Sequence, residues 1–242
     1  MFFDQYTEFV ECDVRKNREL FKVTSESLTK RCESILTPDC VYGKTILDLG
    51  SALGAVGHYA MNNGCSFYTG VEIQKTYREK SKELLSRYNP GSDYKLLHTI
   101  DDATETSDTV LACGYIHGFF DVFGLLQKIC SLSNQFVIIE THKLSDNAFP
   151  MIVINSDGNM VMNNGYYTTF KGIQSSPNKH ALDIIMGVNG FILDKEIKPK
   201  PILNSHDPYD DTQQNSRIIC RYRKSIAKLS TLESNINEMA IR

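Results

Sequence analysis

The segment Thr45–Gly54 constrains the fold of this 242-residue chain more than any other. It consists of an apolar run that contains Asp48, a bend with glycines at Gly50 and Gly54, and a helix expected to begin near Ala55. A glycine in such a bend lets the backbone approach a ligand closely because it has no Cβ. In open parallel sheets, ligands bind at the carboxyl ends of the strands, where this loop must lie. The segment therefore predicts an α/β fold with a ligand-binding loop after its first strand.

Strand and helix patterns alternate along the rest of the chain. Apolar and β-branched runs predict strands, and the amphipathic stretches between them predict helices. The expected strands span 44–49, 66–73, 94–98, 109–113, 136–140, 191–197 and 217–223, and the expected helices span 74–88, 122–130 and 179–188. Such alternation indicates a mostly parallel sheet covered on both faces.

The stretch after the fifth expected strand breaks this alternation. Two turn signals, D-G-N at 157–159 and N-N-G at 163–165, flank Met160–Met162, so we predict a hairpin insertion there. The expected organisation is an N-terminal helical segment over 1–40, a main domain over 41–225 with the insertion at 142–178, and a tail over 226–242.

Composition restricts the partners and the compartment. The net charge is −3, whereas most proteins that bind nucleic-acid phosphates carry an excess of basic residues. This argues against long duplex DNA as a partner but does not exclude a small RNA or a nucleotide. The seven cysteines form no C-x-x-C pair, which indicates reduced thiols and no zinc site. No apolar run approaches the roughly 18 residues of a membrane span, and no signal core follows the N-terminus. We expect a soluble cytoplasmic protein that binds no metal and no membrane.

An acidic residue lies at the end of the second expected strand. Glu72 lies 22 residues beyond Gly50, where a carboxylate can accept hydrogen bonds from both hydroxyls of an adenosine ribose. This combination, D-x-G-x-x-x-G after one strand and an acid after the next, resembles the S-adenosylmethionine-dependent methyltransferases at Asp48, Gly50, Ser51, Gly54 and Glu72. A dinucleotide-binding oxidoreductase, the alternative, usually has G-x-G-x-x-G, which fits this spacing less well.

The resemblance continues beyond the bend. The segment 112–121 is similar to the family's fourth strand and the short turn after it, which implies that Cys113–Tyr115 lie near the methionine part of the cofactor. The match spans about Lys44–Arg223 and implies a Rossmann-like, seven-stranded sheet, mostly parallel with a reversed last strand. Ala52 departs from the pattern at the middle glycine position. Val137–Thr141 and the following insertion resemble the tRNA wobble-uridine carboxymethyl-transferring branch.

The resemblance implies S-adenosylmethionine as the cofactor. Asp101 and Asp102 follow the third strand, where the family often places a polar side chain near adenine, although a solvated loop acid explains them equally well. The residues expected to hold the cofactor are Asp48, Gly50, Ser51, Gly54, Glu72, Ile73, Asp101, Asp102, Cys113 and Gly114.

Catalytic residues are harder to identify, because methyl transfer needs a base only when the bound acceptor is protonated. His117 and His142 are the candidates, followed by Glu140, and each could instead shape the pocket or satisfy backbone groups. We expect the acceptor to contact Tyr115 and an aromatic group in the insertion, namely Phe149, Tyr166, Tyr167 and Phe170, although simple hairpin packing also explains that group.

Three basic residues, Arg217, Arg221 and Arg223, share one face of the last expected strand. They could contact phosphate, but a solvated basic face is the commoner situation. A small-molecule acceptor is therefore the first expectation and a tRNA base or nucleotide the second. A cofactor-binding but inactive partner subunit is a third hypothesis.

Overall fold

The computed structural model describes residues 1–11, 23–116, 119, 121–142, 152–156, 173–198 and 217–225. Within these residues, no helix combines the length and the apolar character that crossing a membrane requires.

In the described part of the chain, nine strands form two sheets. In chain order they are β1 (Thr45–Leu49), β2 (Phe67–Val71), β3 (Tyr94–Leu97), β4 (Ser107–Cys113), β5 (Ser133–His142), β6 (Ile152–Ser156), β7 (Ile173–Pro177), β8 (Phe191–Ile197) and β9 (Arg217–Lys224). Seven of them form one sheet in the order β3-β2-β1-β4-β5-β9-β8, and β6 pairs with β7. Strands β1 to β5 are parallel, whereas β9 is antiparallel to both of its neighbours, β5 and β8. The predicted mostly parallel sheet with a reversed last strand is confirmed.

The insertion predicted after the fifth strand is confirmed as an antiparallel pair. Ile152 in β6 is paired with Pro177 in β7. The turn signals predicted within it, at 157–159 and 163–165, lie outside the described residues.

Seven α-helices among the described residues connect or cover the strands. They are α1 (Glu8–Glu11), α2 (Ser25–Ile35), α3 (Pro38–Val41), α4 (Ala55–Asn62), α5 (Lys75–Tyr88), α6 (Val122–Ser131) and α7 (Lys179–Val188). Their starts follow ordinary capping chemistry: the Asp121 side chain accepts from the backbone N–H of Gly124 at α6, and Asn178 accepts from that of Ala181 at α7. Such caps satisfy backbone donors that the first turn leaves without helical partners.

The core lies in two layers, one on each face of the large sheet. One layer joins α6 and α7 to alternate residues of the central strands, such as Val110 and Val137. The other joins the N-terminal helices, α4 and α5 to the intervening residues, such as Leu111 and Ile138. The side chains of neighbouring strand residues point to opposite faces, so the second layer also contains the polar residues that β1, β4 and β5 place beneath the N-terminal helices.

The connection from β3 to β4 differs from the other crossovers. It contains only a 3-10 turn, Ile100–Asp102, instead of an α-helix. Phe67, Thr69 and Leu97 remain half-buried there, beside a cavity of about 190 Å³. This part of the sheet faces away from the N-terminal helices.

Candidate functional site

The bend after β1 has a backbone that favours glycine. Gly50 has φ +76°, Gly54 has φ +78°, and Ala52 between them has φ +47°. The backbone N–H groups of Gly50 and Ser51 both donate to the carbonyl oxygen of Val71, at 2.9 and 3.0 Å. The bend is therefore held against the end of β2, which brings it next to Glu72.

The Glu72 side chain turns back toward this bend. Its Oε2 accepts a hydrogen bond from Ala52 N at 2.9 Å, and its Oε1 accepts one from Gln74 N at 2.7 Å. The side chain is buried, and burial raises the pKa of its carboxyl group against the opposing effect of these hydrogen bonds. Each carboxylate oxygen has two acceptor sites, so Glu72 retains capacity for a ligand's hydroxyl groups.

A cavity of about 280 Å³ lies beside the bend. The bend contributes Gly50 to Leu53, and the end of β4 contributes Cys113 and Gly114. The opposite wall comes from the N-terminal helices and includes Phe9, Leu28, Arg31 and Ile35. This volume is near the lower end of the range for small-molecule sites, about 300 to 1,000 Å³.

Asp48 lies at the floor of this cavity. Its Oδ2 accepts a hydrogen bond from the hydroxyl of Tyr68 at 2.9 Å. Burial raises the pKa of Asp48 to about 6, while the Tyr68 hydroxyl and the charge of Arg31 act in the opposite direction. A carboxylate in this environment favours a nearby positive charge.

A second, much smaller cavity of about 20 Å³ also borders the bend. Glu72, Ile73 and Tyr115 line it together with Gly50. The Tyr115 ring packs so closely that a Cβ at position 50 would lie 3.0 Å from its Cδ2. Tyr115, expected at the acceptor, therefore lies at the bend, beside residues expected to hold the cofactor.

Three predicted cofactor residues do not line either cavity. Gly54 begins α4, and a Cβ there would lie 2.5 Å from Ser81 Oγ, so this glycine permits close packing of α4 on α5. Asp101 and Asp102 are exposed. The Asp102 carboxylate accepts from the backbone N–H and the hydroxyl of Thr99.

Several predicted residues lie outside the described residues. They are His117, Phe149, Tyr166, Tyr167 and Phe170. His142 is the last residue of β5 and pairs in register with Arg217, but its side chain is outside the description.

The structure brings together three charged residues that the sequence did not connect. Glu140, at the end of β5, is fully buried. Its Oε2 accepts from Nε and Nη2 of Arg31 at 3.0 and 2.7 Å, and its Oε1 accepts from Nη1 of Arg217 at 2.7 Å. Burial acts to raise the pKa of Glu140, but the two guanidinium groups outweigh it and hold the pKa below its usual range. Glu140 is thus ionised, engaged by two guanidinium groups and without exposed surface, and its role as a base stays a prediction.

The expectation of a solvated basic face on the last strand is wrong for two of its three residues. Arg221 is buried and forms ion pairs with Asp39 at 2.8 Å and Asp194 at 2.5 Å. Arg217 pairs with Glu140, and Arg223 is exposed. Arg217 thus meets an acid of the neighbouring strand β5, and Arg221 meets one acid of α3 and one of β8.

Several solved structures with a similar fold are methyltransferases. The 1,6-didemethyltoxoflavin-N1-methyltransferase of Burkholderia thailandensis, solved with S-adenosylhomocysteine, matches with TM-score 0.60 at 13% identity over 92% of this chain and 85% of that chain. Magnesium protoporphyrin IX methyltransferase of Synechocystis, solved with S-adenosylmethionine, matches with TM-score 0.58 at 11% identity over 93% and 92%. An S-adenosylmethionine-dependent methyltransferase of Mesorhizobium loti matches with TM-score 0.56 at 14% identity over 80% and 96%.

This chain has the fold of S-adenosylmethionine-dependent methyltransferases. No protein-family model matches the sequence, and no curated protein matches it either. At these identities the likeness establishes the fold, so the activity of this methyltransferase-like chain has to be argued from its own residues. Across the described ranges, no three His, Cys, Asp or Glu side chains form a group that could hold a metal ion.

Proposed function

We propose that this protein transfers a methyl group from S-adenosylmethionine to a small-molecule acceptor. The proposal depends above all on the contact between Glu72 Oε2 and Ala52 N, 2.9 Å long. That contact puts a buried carboxylate directly beside a positive-φ bend whose own residues, Gly50 to Leu53, line a cavity of about 280 Å³.

The residues around the bend fit the chemical groups of the cofactor. Glu72 offers carboxylate oxygens to the ribose hydroxyls. Asp48 offers a negative charge to the ammonium and sulfonium groups, since a nearby cation favours its ionised form. Gly50 leaves room for close approach of the backbone, because it has no side chain. When bound, S-adenosylmethionine supplies an electrophilic methyl group.

The chain itself contributes orientation and exclusion of water. Leu28, Ile35 and Phe9 cover the cavity from the side of the N-terminal helices, so a bound acceptor loses much of its hydration. Burial raises the pKa of the Cys113 thiol, which keeps it neutral at physiological pH. We therefore assign the rate acceleration to alignment and desolvation of the reacting groups.

The size and walls of the cavity support a small acceptor. The N-terminal helices form one wall of it, which limits the size of what can reach the bend. Arg217 and Arg221 turn inward to Glu140, Asp39 and Asp194, so they do not form a basic surface for a nucleic-acid backbone. Small-molecule methylation is therefore preferred to methylation of a tRNA base.

Calorimetric titration with S-adenosylmethionine, S-adenosylhomocysteine and a nicotinamide dinucleotide tests the cofactor assignment. We expect both sulfur compounds to bind and the dinucleotide not to bind. Gly50→Ala should abolish this binding, because its Cβ would meet the Tyr115 ring at 3.0 Å in a backbone with φ +76°. Gly91→Ala is the matched control: Gly91 has φ +83° with nothing within 4 Å of a Cβ.

The Gly91→Ala protein should lose stability of about 1 to 2 kcal/mol and keep its affinity for the cofactor. Equal loss of binding in both variants would point to general destabilisation and contradict the assignment of the bend. Turnover is then tested by incubating the protein and a labelled methyl donor with pools of small metabolites and of tRNA. Label transfer to tRNA alone would contradict the small-molecule acceptor.

A further inference from the structure

The space in front of Glu72 is very small. Glu72 lines the cavity of about 20 Å³ and not the one of about 280 Å³. A water molecule needs roughly 10 to 15 Å³, so the smaller cavity has room for about one water molecule. A nucleoside, with its base and its sugar ring, is many times larger. For the ribose hydroxyls of the proposed cofactor to reach Glu72, a wall of this cavity has to move.

Several walls of the small cavity are fixed by backbone hydrogen bonds. Gly50 N donates to the carbonyl oxygen of Val71 at 2.9 Å, and Glu72 N donates to that of Leu97 at 3.1 Å. The Glu72 carboxylate is itself held by two backbone N–H groups. Moving these groups would break hydrogen bonds of the bend and of the strand ends, which makes them the costlier walls to move.

The Tyr115 ring is a wall that can move without such losses. Tyr115 comes after Cys113, the last residue of β4, and after Gly114, which has φ +71°. Its ring packs against Gly50, where a Cβ would lie 3.0 Å from Cδ2, and against Phe119, with ring centroids 4.9 Å apart. A change of side-chain rotamer moves this ring and leaves the strands in place.

The space that the ring fills has the surroundings that a nucleoside requires. Val71 and the half-buried Ile73 supply apolar surface for a base, and Glu72 supplies carboxylate oxygens for sugar hydroxyls. Small-molecule sites commonly combine apolar walls with a few polar groups in this way. A Cβ at position 50 would project into the same space. The ring of Tyr115 therefore lies where the adenosyl group fits best.

We propose that Tyr115 takes the place of the adenosyl group in this conformation, and that the cofactor binds with the ring turned away from Gly50. This inference rests on the proposed function and identifies the residue that sets the affinity for the cofactor. Tyr115 is only 8% exposed, so turning it out costs hydrophobic burial. The arrangement with the ring turned out is then a minor population, and the apparent Kd rises in inverse proportion to that population.

Calorimetric titration of Tyr115→Ala with S-adenosylhomocysteine tests this proposal. Removal of the ring should lower the Kd by at least about threefold, because the ligand no longer has to displace it. Tyr115→Phe keeps the ring and should keep the wild-type affinity. An equal or higher Kd in Tyr115→Ala would overturn the proposal, since the ring would then not compete with the cofactor.

Two further variants separate this effect from changes in folding. Tyr115 belongs to a buried core, so Tyr115→Leu, which keeps apolar contacts there, is measured in parallel and should also lower the Kd. Tyr94→Ala is the matched control, because Tyr94 in β3 is half-buried and lines neither cavity. It should lose stability and keep the wild-type Kd. An equal gain in affinity in Tyr94→Ala would point to general loosening and count against the proposal.

Adenosine shows which part of the cofactor competes with the ring. It carries the base and the sugar but lacks the amino-acid end. Its affinity should rise in Tyr115→Ala by about the same factor as that of S-adenosylhomocysteine. A gain for S-adenosylhomocysteine without one for adenosine would place the competition elsewhere and overturn the proposal.

Tyr115→Trp gives a direct view of the ring. The chain has no tryptophan, so the fluorescence of this variant reports on position 115 alone. Saturation with S-adenosylhomocysteine should move the emission maximum to longer wavelength as the indole leaves its buried position. Binding with an unchanged emission maximum would show that the ring stays where it is, against the proposal.

These titrations also separate the inference from the proposed function. If neither the wild type nor Tyr115→Ala binds S-adenosylhomocysteine, the cofactor assignment fails and the inference fails with it. If the wild type binds and Tyr115→Ala binds no more tightly, the inference alone fails. Binding by Tyr115→Ala alone would support both.

Discussion

Glu72 Oε2 accepts a hydrogen bond from the backbone N–H of Ala52 at 2.9 Å. Two segments that are 20 residues apart are thereby joined at the point where β1 and β2 end. The contact fixes the direction of the carboxylate before any ligand binds. A preformed acceptor of this kind loses little side-chain entropy when a ribose arrives.

Glu72→Gln should weaken binding of S-adenosylhomocysteine by about 10- to 100-fold, the range that corresponds to a hydrogen bond with a charged group of about 1.5 to 3 kcal/mol. The amide also points its NH2 group at one of two backbone donors, Ala52 N or Gln74 N. Calorimetric titration measures the change. The control is Glu79→Gln, because Glu79 is exposed on α5 and forms a surface ion pair with Lys75. Equal weakening in both variants would contradict the assignment of Glu72.

Ala52→Gly should stabilise the protein. Ala52 has φ +47°, and the left-handed conformation costs a non-glycine residue about 1 to 2 kcal/mol. Glycine removes that cost but increases the backbone entropy of the unfolded chain, by about 0.5 to 1 kcal/mol. The expected net gain in the free energy of unfolding is up to about 1 kcal/mol, measured by urea denaturation.

Ala60→Gly provides the opposite case for that measurement. Ala60 is buried within α4, where glycine should cost about 1 kcal/mol or more. If Ala52→Gly and Ala60→Gly lower the free energy of unfolding by similar amounts, the backbone conformation at Ala52 is not strained.

The parts of this fold that could be predicted from the sequence are local or repeat along the chain. The bend at Gly50 and the carboxylate of Glu72 lie in short segments. The residue types of these segments indicate both the backbone conformation and the place at the end of a strand. The reversed last strand followed from a family resemblance. The short connection around Ile100–Asp102 has no α-helix, and none was expected there, since no amphipathic pattern lies between β3 and β4.

The arginine–glutamate cluster could not be predicted in the same way. Arg31 is 109 residues from Glu140, and Arg217 is 77 residues from it. No periodic pattern links residues so far apart, and an arginine on a strand has the same sequence signature whether it faces water or a buried partner. Only the packing of α2 over the end of β5 distinguishes the two.

Cofactor affinity should depend on the ionisation of Asp48. Burial raises its pKa to about 6, and a bound cation favours the ionised form. Acidification from about pH 7 to about pH 5 should therefore weaken binding. At the lower pH the free protein has Asp48 protonated, and this proton must be released when the cofactor binds. The effect should be larger for S-adenosylmethionine, with its sulfonium, than for S-adenosylhomocysteine. Titrations across this range check it; Asp48→Asn should flatten both curves, and an unchanged slope in that variant would contradict the role of Asp48.

Asp48 and His58 should have opposite effects on stability in the same pH range. Burial lowers the pKa of His58 from 6.5 to about 4, so between these values the unfolded chain binds the extra proton and acidification destabilises the fold. Asp48 has a folded pKa of about 6 against 3.8, so there the folded protein binds the extra proton and acidification stabilises it. Each shift corresponds to roughly 3 kcal/mol at most, so the two contributions largely cancel.

The cancellation predicts opposite slopes in two single variants. Asp48→Asn leaves the His58 effect uncompensated, so its free energy of unfolding should fall more steeply than that of the wild type as the pH drops from about 6.5 to about 4. His58→Gln retains a side chain that can bond Asn89, which contacts His58 Nδ1 at 2.9 Å, and should fall less steeply than the wild type. Urea denaturation at several pH values measures both slopes. His58 is packed among Phe9, Tyr6 and Phe2, and Asp48 is packed against Tyr68. The same slope in both variants would mean that this packing does not shift the pKa of either group.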